Sequence, residues 1–360
     1  MGKLDKEEAS GSKQDKKPDK FEKQLEKEEA YHFSVRTDLA LEARELIDEP
    51  EEEEHSIDGI EVSEEEHQNK KIRVTWVEVF NEAGAKAIGK PVGNYITIES
   101  QAMKENDLET HEEISKLMAK KLEKLRKLKK NSSILVVGLG NWNVTPDALG
   151  PKVVSKILVT RHLSEQLPES LYGLVRSVSA VSPGVMGLTG IETSEIIRGV
   201  VDRVKPDLVI AIDALAARRT SRVNATIQIA DTGVSPGHGM GNKRVALNEK
   251  TLGVPIVAIG VPTVVDAATL VNDTMNLMLE EMAKQAPQGE EFFSMLTALA
   301  DEEKHHIIKE ILNPYTGNMF VAPKEVDAVI ERLSTIIANA INLALHPGIK
   351  NNDFRRYLNA

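Results

Sequence analysis

Two aspartates in this chain stand where carboxylates do chemistry. Asp213 ends the apolar run DLVIAID at 207–213, and Asp147 lies in GLGNWNVTPDALG, the loop that follows the apolar run SILVVGLGN starting at 133. A charge set directly after five apolar residues sits at the rim of a core, where desolvation perturbs it. Each aspartate also has a simpler reading. Thr145-Pro146-Asp147 has the form of a helix start, with Thr as N-cap and Pro at the first helical position, so Asp147 alone needs no role beyond favouring the helix dipole. Asp213 alone is a strand-end cap. If the two strands are neighbours, the two carboxylates face one crevice and share a proton. One then acts as base on a water while the other protonates a carbonyl oxygen or leaving group, which hydrolyses an amide. The spacing permits that proximity without fixing it.

Other chemistries are constrained by what is missing. With no cysteine, thiolate nucleophiles, disulfides and zinc–thiolate sites are excluded. The glycines of 138–150 do not make a dinucleotide fingerprint: Val144 and Thr145 stand where a third glycine is needed, and no acidic residue ends the candidate strand 177–181. Neither a serine-hydrolase elbow nor a zincin motif is expected. The Gly-rich loop 231–244 carries His238, which with Asp147 and Asp213 would complete an Asp/Asp/His site for a divalent metal. An exposed loop histidine is the simpler reading. The formal net charge of -11 and an aromatic content of 4% argue against direct nucleic-acid binding.

The elements that must position these residues follow from hydropathy patterning. Residues 133–138, 177–181, 207–213, 225–231 and 254–260 are short apolar runs read as strands. They alternate with helices near 146–162 and 192–204 and with one beginning near Asp266. The fold class is therefore α/β, a mainly parallel twisted sheet with helices on both faces, and ligands belong at the carboxyl ends of its strands. That rule selects the loops 138–150, 182–193, 213–222 and 231–244. Residues 71–78 and 95–100 alternate as strands, forming a small sheet or an edge of the main one. Residues 111–130 form an amphipathic helix whose lysines read as a solvated face. The stretch 48–66 is an acidic loop, and 290–360 a helical part broken by Gly and Pro at 314–323 and 347–348. Residues 1–30 carry charges of both signs and almost nothing apolar, too little to offset the entropy of ordering. With no signal peptide and no run of eighteen apolar residues, a cytoplasmic protein without a membrane span is expected.

The motifs GLGNWNVTPDALGP, SPGVMGLTGIETSEII, KPDLVIAIDALAAR, IQIADTGVSPG and LGVPIVAIGVPTVVDA together resemble the germination protease family of spore-forming bacteria. The likeness runs from about Val35 to the C-terminus and is densest over 133–270. It implies an atypical aspartic endopeptidase of the developing spore and spore core. The implied substrates are the small acid-soluble proteins that coat spore DNA, degraded at germination. The fold is similar to hydrogenase-maturation endopeptidases, and the two essential aspartates correspond to Asp147 and Asp213. No cofactor is implied, although that related fold holds a metal at corresponding acidic positions. The resemblance further implies a homotetramer made as a self-processing zymogen, cut between Asp38 and Leu39 within SVRTDLALE. Residues 1–38 are then a charged propeptide, and 39–360 a single peptidase domain with core 131–285 and C-terminal helical part 290–360. Preference for acidic substrate residues requires cations at the crevice, for which Arg218, Arg219, Lys243 and Arg244 are candidates.

Overall fold

A computed structural model describes residues 38–45, 58–68, 71–163, 174–235, 245–285, 301–316 and 319–348. All fall in the compact unit Arg36–Ala360. Its frame is a nine-stranded mixed sheet. β4 (Ser133–Gly138), β5 (Ser177–Val181), β6 (Leu208–Ala217) and β8 (Ile256–Asp266) run parallel in the order β5-β4-β6-β8. They are the near-continuous apolar runs of the sequence, and β4 and β6 are buried along almost their whole length. That is the pattern of strands covered on both faces.

Beyond β8 the sheet turns antiparallel. β7 (Thr226–Ala230) pairs with β8, then β3 (Gly93–Glu99), β2 (Ile72–Val79) and β1 (Ile60–His67) follow outward, while β9 (Phe320–Val321) pairs with the far end of β8. The strands expected at 71–78 and 95–100 thus extend the main sheet. The second half of the acidic stretch is also a strand, not a loop. Glu64, Glu65 and Glu66 lie exposed on β1, the edge strand, where charge deters pairing with another chain. Lys121 reaches over to bind Glu65 at 2.7 Å.

Helices cover both faces. On one, α3 (Leu108–Leu125), α4 (Leu149–Val154) and α10 (Val326–Leu345) bury Ile114, Met118, Leu149, Leu333 and Ile337 against Ile134, Val136, Ile210 and Ile259. The opposite face carries two clusters. α6 (Thr193–Val204) and α7 (Glu249–Leu252) pack on Leu135, Val137, Val209 and Ala211. α1 (Ala40–Glu45) and α2 (Glu82–Ile88) pack on Val77, Val79, Tyr95 and Ala230. Local signals set the ends of these elements. Asn81 and Asp107 cap α2 and α3 by accepting from Gly84 and Thr110 amides, and Lys205 closes α6 in a left-handed conformation just before Pro206.

The helix expected over 146–162 is shorter. The helix ends at Val154, local turns carry the chain to Ile157, and the backbone then takes tertiary partners: the Leu158 amide donates to Asn342 Oδ1 at 2.9 Å and the Thr160 amide to the Val178 carbonyl at 2.9 Å. The C-terminal part holds α8 (Ala267–Gln285), α9 (Asp301–Thr316) and α10, with β9 lying between the last two.

Candidate active site

The site is built by two neighbouring strands. β4 lies beside β6 in parallel, with Gly138 in register with Ile212, so the loop after β4 emerges next to Asp213. The Leu139 amide still donates to the Ile212 carbonyl at 2.8 Å, carrying the pairing one residue beyond β4. The chain then folds into a single turn of 3₁₀ helix, Thr145–Asp147, which packs against β6, β8 and α10. The neighbour relation on which the two-aspartate reading depended is therefore present in the sheet.

Asp147 is held tightly within its loop. Its carboxylate Oδ2 and its own carbonyl both accept from the Asn141 amide, at 2.8 Å and 3.1 Å, and its amide donates to the Val144 carbonyl at 2.8 Å. Gly140 makes this closure possible. At φ +111° it adopts a backbone that side chains rarely take, and a Cβ there would stand 2.0 Å from the Asp147 carbonyl oxygen. Gly150 serves the same end by letting α4 lie directly on the end of β4, where an added Cβ would meet the Leu139 carbonyl oxygen at 2.2 Å. The expected N-cap differs in detail. Thr145 makes no capping bond; the cap position falls on Val144, and Pro146 is at the start of the turn as expected.

Asp213 is 5% exposed and accepts from the Ala214 amide at 3.0 Å. Cross-strand register aligns it with Gly260 of β8, and Gly260 in turn with Gln228 of β7. Residues aligned in this way project to the same face of a sheet. Asp213 and Gln228 therefore share a face on either side of Gly260, over which the Leu215 side chain packs.

On that face lies Asp38-Leu39. Asp38 Oδ2 accepts from the Ala216 amide of β6 at 3.1 Å, and its carbonyl accepts from Lys90 Nζ at 3.1 Å and Gln228 Nε2 at 3.2 Å. The Ala40 amide donates to Gln228 Oε1 at 2.7 Å, and the Leu39 side chain is fully buried. Burial pulls Lys90 below the ordinary lysine range, opposed by the charges of Asp38 and Glu42.

Arg218 and Arg219 lie beside Glu42. Their backbone amides donate to the two carboxylate oxygens of Glu42 at 2.9 Å and 3.0 Å. The Arg219 guanidinium faces Glu45 at 3.4 Å. The central cation is Arg222, which sequence reasoning missed. It is buried among Glu42, Glu45 and Glu99, and it donates to Glu45 at 2.6 and 2.8 Å and to Glu99 at 2.8 Å. Lys90 and Gln228 were missed as well. The available signal was the pair Glu42 and Glu45, one helical turn apart on a face that also carries Leu39 and Ala43, which demands a buried partner charge.

Lys243, Arg244 and His238 lie outside the described residues. Among the described residues no three His, Asp or Glu side chains cluster as metal ligands. The serine-hydrolase expectation needs a correction. GVSPG at 233–237 does have the G-x-S-x-G spacing, but β7 ends at Ala230 and no described helix opens on Ser235, so the strand–elbow–helix context is missing.

Comparison with known proteins places the chain. A germination protease family model matches residues 40–291 and 280–358. A germination protease of Clostridium tetani is 52% identical over 327 residues, covering 91% of this chain and all of the relative. One from Caldanaerobacter subterraneus is 51% identical over 326 residues, covering 91% of this chain and 98% of the relative. Among solved structures, the [NiFe] hydrogenase maturation protease HycI of Thermococcus kodakarensis aligns with 61% of this chain and 97% of its own at 19% identity. Its TM-score of 0.30 is too low to carry an argument, and the α/β class rests on the sheet and helices described above. Half of all positions are shared with the relatives across nearly their whole length, and on that ground the chain belongs to the germination protease family, a family of peptidases.

Proposed function

We propose that this protein is an aspartic-type endopeptidase that initiates degradation of small acid-soluble spore proteins at germination. Asp147 and Asp213 activate the attacking water. The observation that carries this reading is that β4 ends beside Asp213 of the neighbouring parallel strand β6, which continues to Ala217, and that the loop leaving β4 at this carboxyl end carries Asp147. One carboxylate takes a proton from water as it attacks the peptide carbonyl, and the other supplies the proton that the leaving amine needs. The half-buried turn of Asp147 and the buried Asp213 restrict water around both. No metal enters this scheme. The protein is further proposed to be a homotetramer of the spore interior, made as a zymogen that cuts itself between Asp38 and Leu39. Support for the cut comes from Asp38-Leu39 lying on the sheet face that Asp213 shares.

The test is incubation of purified full-length protein with an acid-soluble spore protein, with mass spectrometry locating each cut. Asp147→Asn and Asp213→Asn are each expected to lower turnover by about 10²-fold or more, and a chelator to leave it unchanged. Wild-type turnover in either variant would refute the two-aspartate assignment.

A further inference from the structure

The peptide bond between Asp38 and Leu39 is gripped in a way that an anchoring segment does not require. Gln228 brackets it as another strand would, donating through Nε2 to the Asp38 carbonyl and accepting through Oε1 from the Ala40 amide. The same carbonyl receives a second donor, the ammonium of Lys90 at 3.1 Å. Two side-chain donors, one of them cationic, thus converge on a single carbonyl oxygen. Lys90 is delivered there by the end of α2: Gly89 closes the helix in a left-handed conformation, and the Lys90 amide donates back to Ala85. On the acidic side chain of the same residue, the Ala216 amide donates to Oδ2. Beyond the bond, Leu39 is fully buried, and Glu42 is fixed by the amides of Arg218 and Arg219. Asp213 stands on the same face, two strands from Gln228, which is about 10 Å between backbones at the usual strand spacing.

We propose that Lys90 and Gln228 are the oxyanion-stabilising donors for cleavage of the Asp38–Leu39 bond, and that the Ala216 amide selects an acidic residue before it. This assignment rests on the self-processing reading above. As water oxygen bonds to the Asp38 carbonyl carbon, the carbonyl electron pair moves onto oxygen, where Lys90 and Gln228 already donate. One water proton passes to a carboxylate of the site. Collapse of the intermediate restores the carbonyl and breaks the bond to Leu39 nitrogen, which leaves with a proton as the amine. The products are a carboxylate at Asp38 and a free amino terminus at Leu39. Donors preset around the developing charge stabilise it without reorganising, and removing one typically costs 10²–10³-fold in rate.

The experiment follows the appearance of the Leu39 terminus by mass spectrometry in full-length wild type, Lys90→Met, Lys90→Arg, Gln228→Leu and Asp213→Asn, with thermal unfolding measured in parallel. Lys90→Met and Gln228→Leu are expected to slow processing by about 10²-fold. Lys90→Arg should recover much of that loss, and the fraction of folded protein should not change. Wild-type processing rates in both Lys90→Met and Gln228→Leu, with Asp213→Asn inactive, would overturn the donor assignment and leave the self-processing reading standing. Rates that fall only in step with folded protein, with Lys90→Arg no better than Lys90→Met, would reduce the pair to an anchor and also overturn it. A wild type that never yields a Leu39 terminus would sink the self-processing reading and this assignment with it.

Discussion

Replacing Arg222 with methionine removes the charge that three carboxylates share. Arg222 is buried, Glu42 is only 1% exposed, and the two approach to 3.5 Å. Glu45 and Glu99 are partly exposed and so contribute less. Burial opposes the arginine charge, yet the hydrogen bonds to Glu45 and Glu99 outweigh it and hold Arg222 above the ordinary arginine value. At an effective dielectric of 20, a charge pair at that separation is worth about 5 kcal/mol. Glu42 retains the Arg218 and Arg219 amides, which soften the loss, so the expected cost is about 3 kcal/mol, the lower end for breaking a buried pair. For a domain of this size that corresponds to roughly 4–6 °C in thermal midpoint. Thermal and urea unfolding measure it, and hydrogen exchange at 40–45 reports whether α1 detaches. Adding Glu42→Gln and Glu45→Gln should recover much of the loss, because removing both sides of a buried pair is often close to neutral. A change below about 1 kcal/mol with unaltered exchange at 40–45 would refute the claim that Arg222 holds this segment.

His346 supplies a pH dependence. It is fully buried, its Nε2 bonds the Leu158 carbonyl at 3.1 Å, and its Nδ1 has no partner among the described residues. Burial lowers its pKa to about 4, with Arg176 adding to the effect and the Leu158 bond opposing it. The unfolded chain, titrating near 6.5, binds the proton first, so this contribution is full above pH 6.5 and is lost as pH falls through 4. The loss is about 2 kcal/mol at pH 5 and about 3 kcal/mol at pH 3. His346→Gln should flatten that limb in urea titrations, and an unchanged limb would remove His346 as its source. Gly140→Ala would drive a methyl into the Asp147 carbonyl oxygen. Turnover of an acid-soluble spore protein is expected to fall at least about tenfold, as misplacement of a reacting group by 1 Å can cost 10²-fold. Gly199→Ala on α6, whose added methyl also meets nothing, serves as the control.

The parallel half of the fold was legible because its strands are buried on both faces. Runs such as SILVVG and LVIAI have no other stable reading at that length. The acidic edge was not: β1 is a strand through its partner β2, since an edge strand bearing consecutive glutamates has no hydropathy pattern of its own. The break of the helix expected at 146–162 was likewise hidden, because Asn342 and Val178, both distant in sequence, capture the backbone.

For the site, residue types and local context marked Asp147 and Asp213 as carboxylates at the ends of apolar strands, and family motifs fixed the class of enzyme. Strand order decided what those marks mean: that β4 neighbours β6, and that Gln228, Gly260 and Asp213 align across β7, β8 and β6. The ring of Lys90, Gln228 and Ala216 around Asp38 was equally a matter of tertiary structure. Sequence encodes burial and local backbone preference residue by residue. Which polar groups meet is set by tertiary contacts between residues 52 to 190 positions apart, and no local pattern records it.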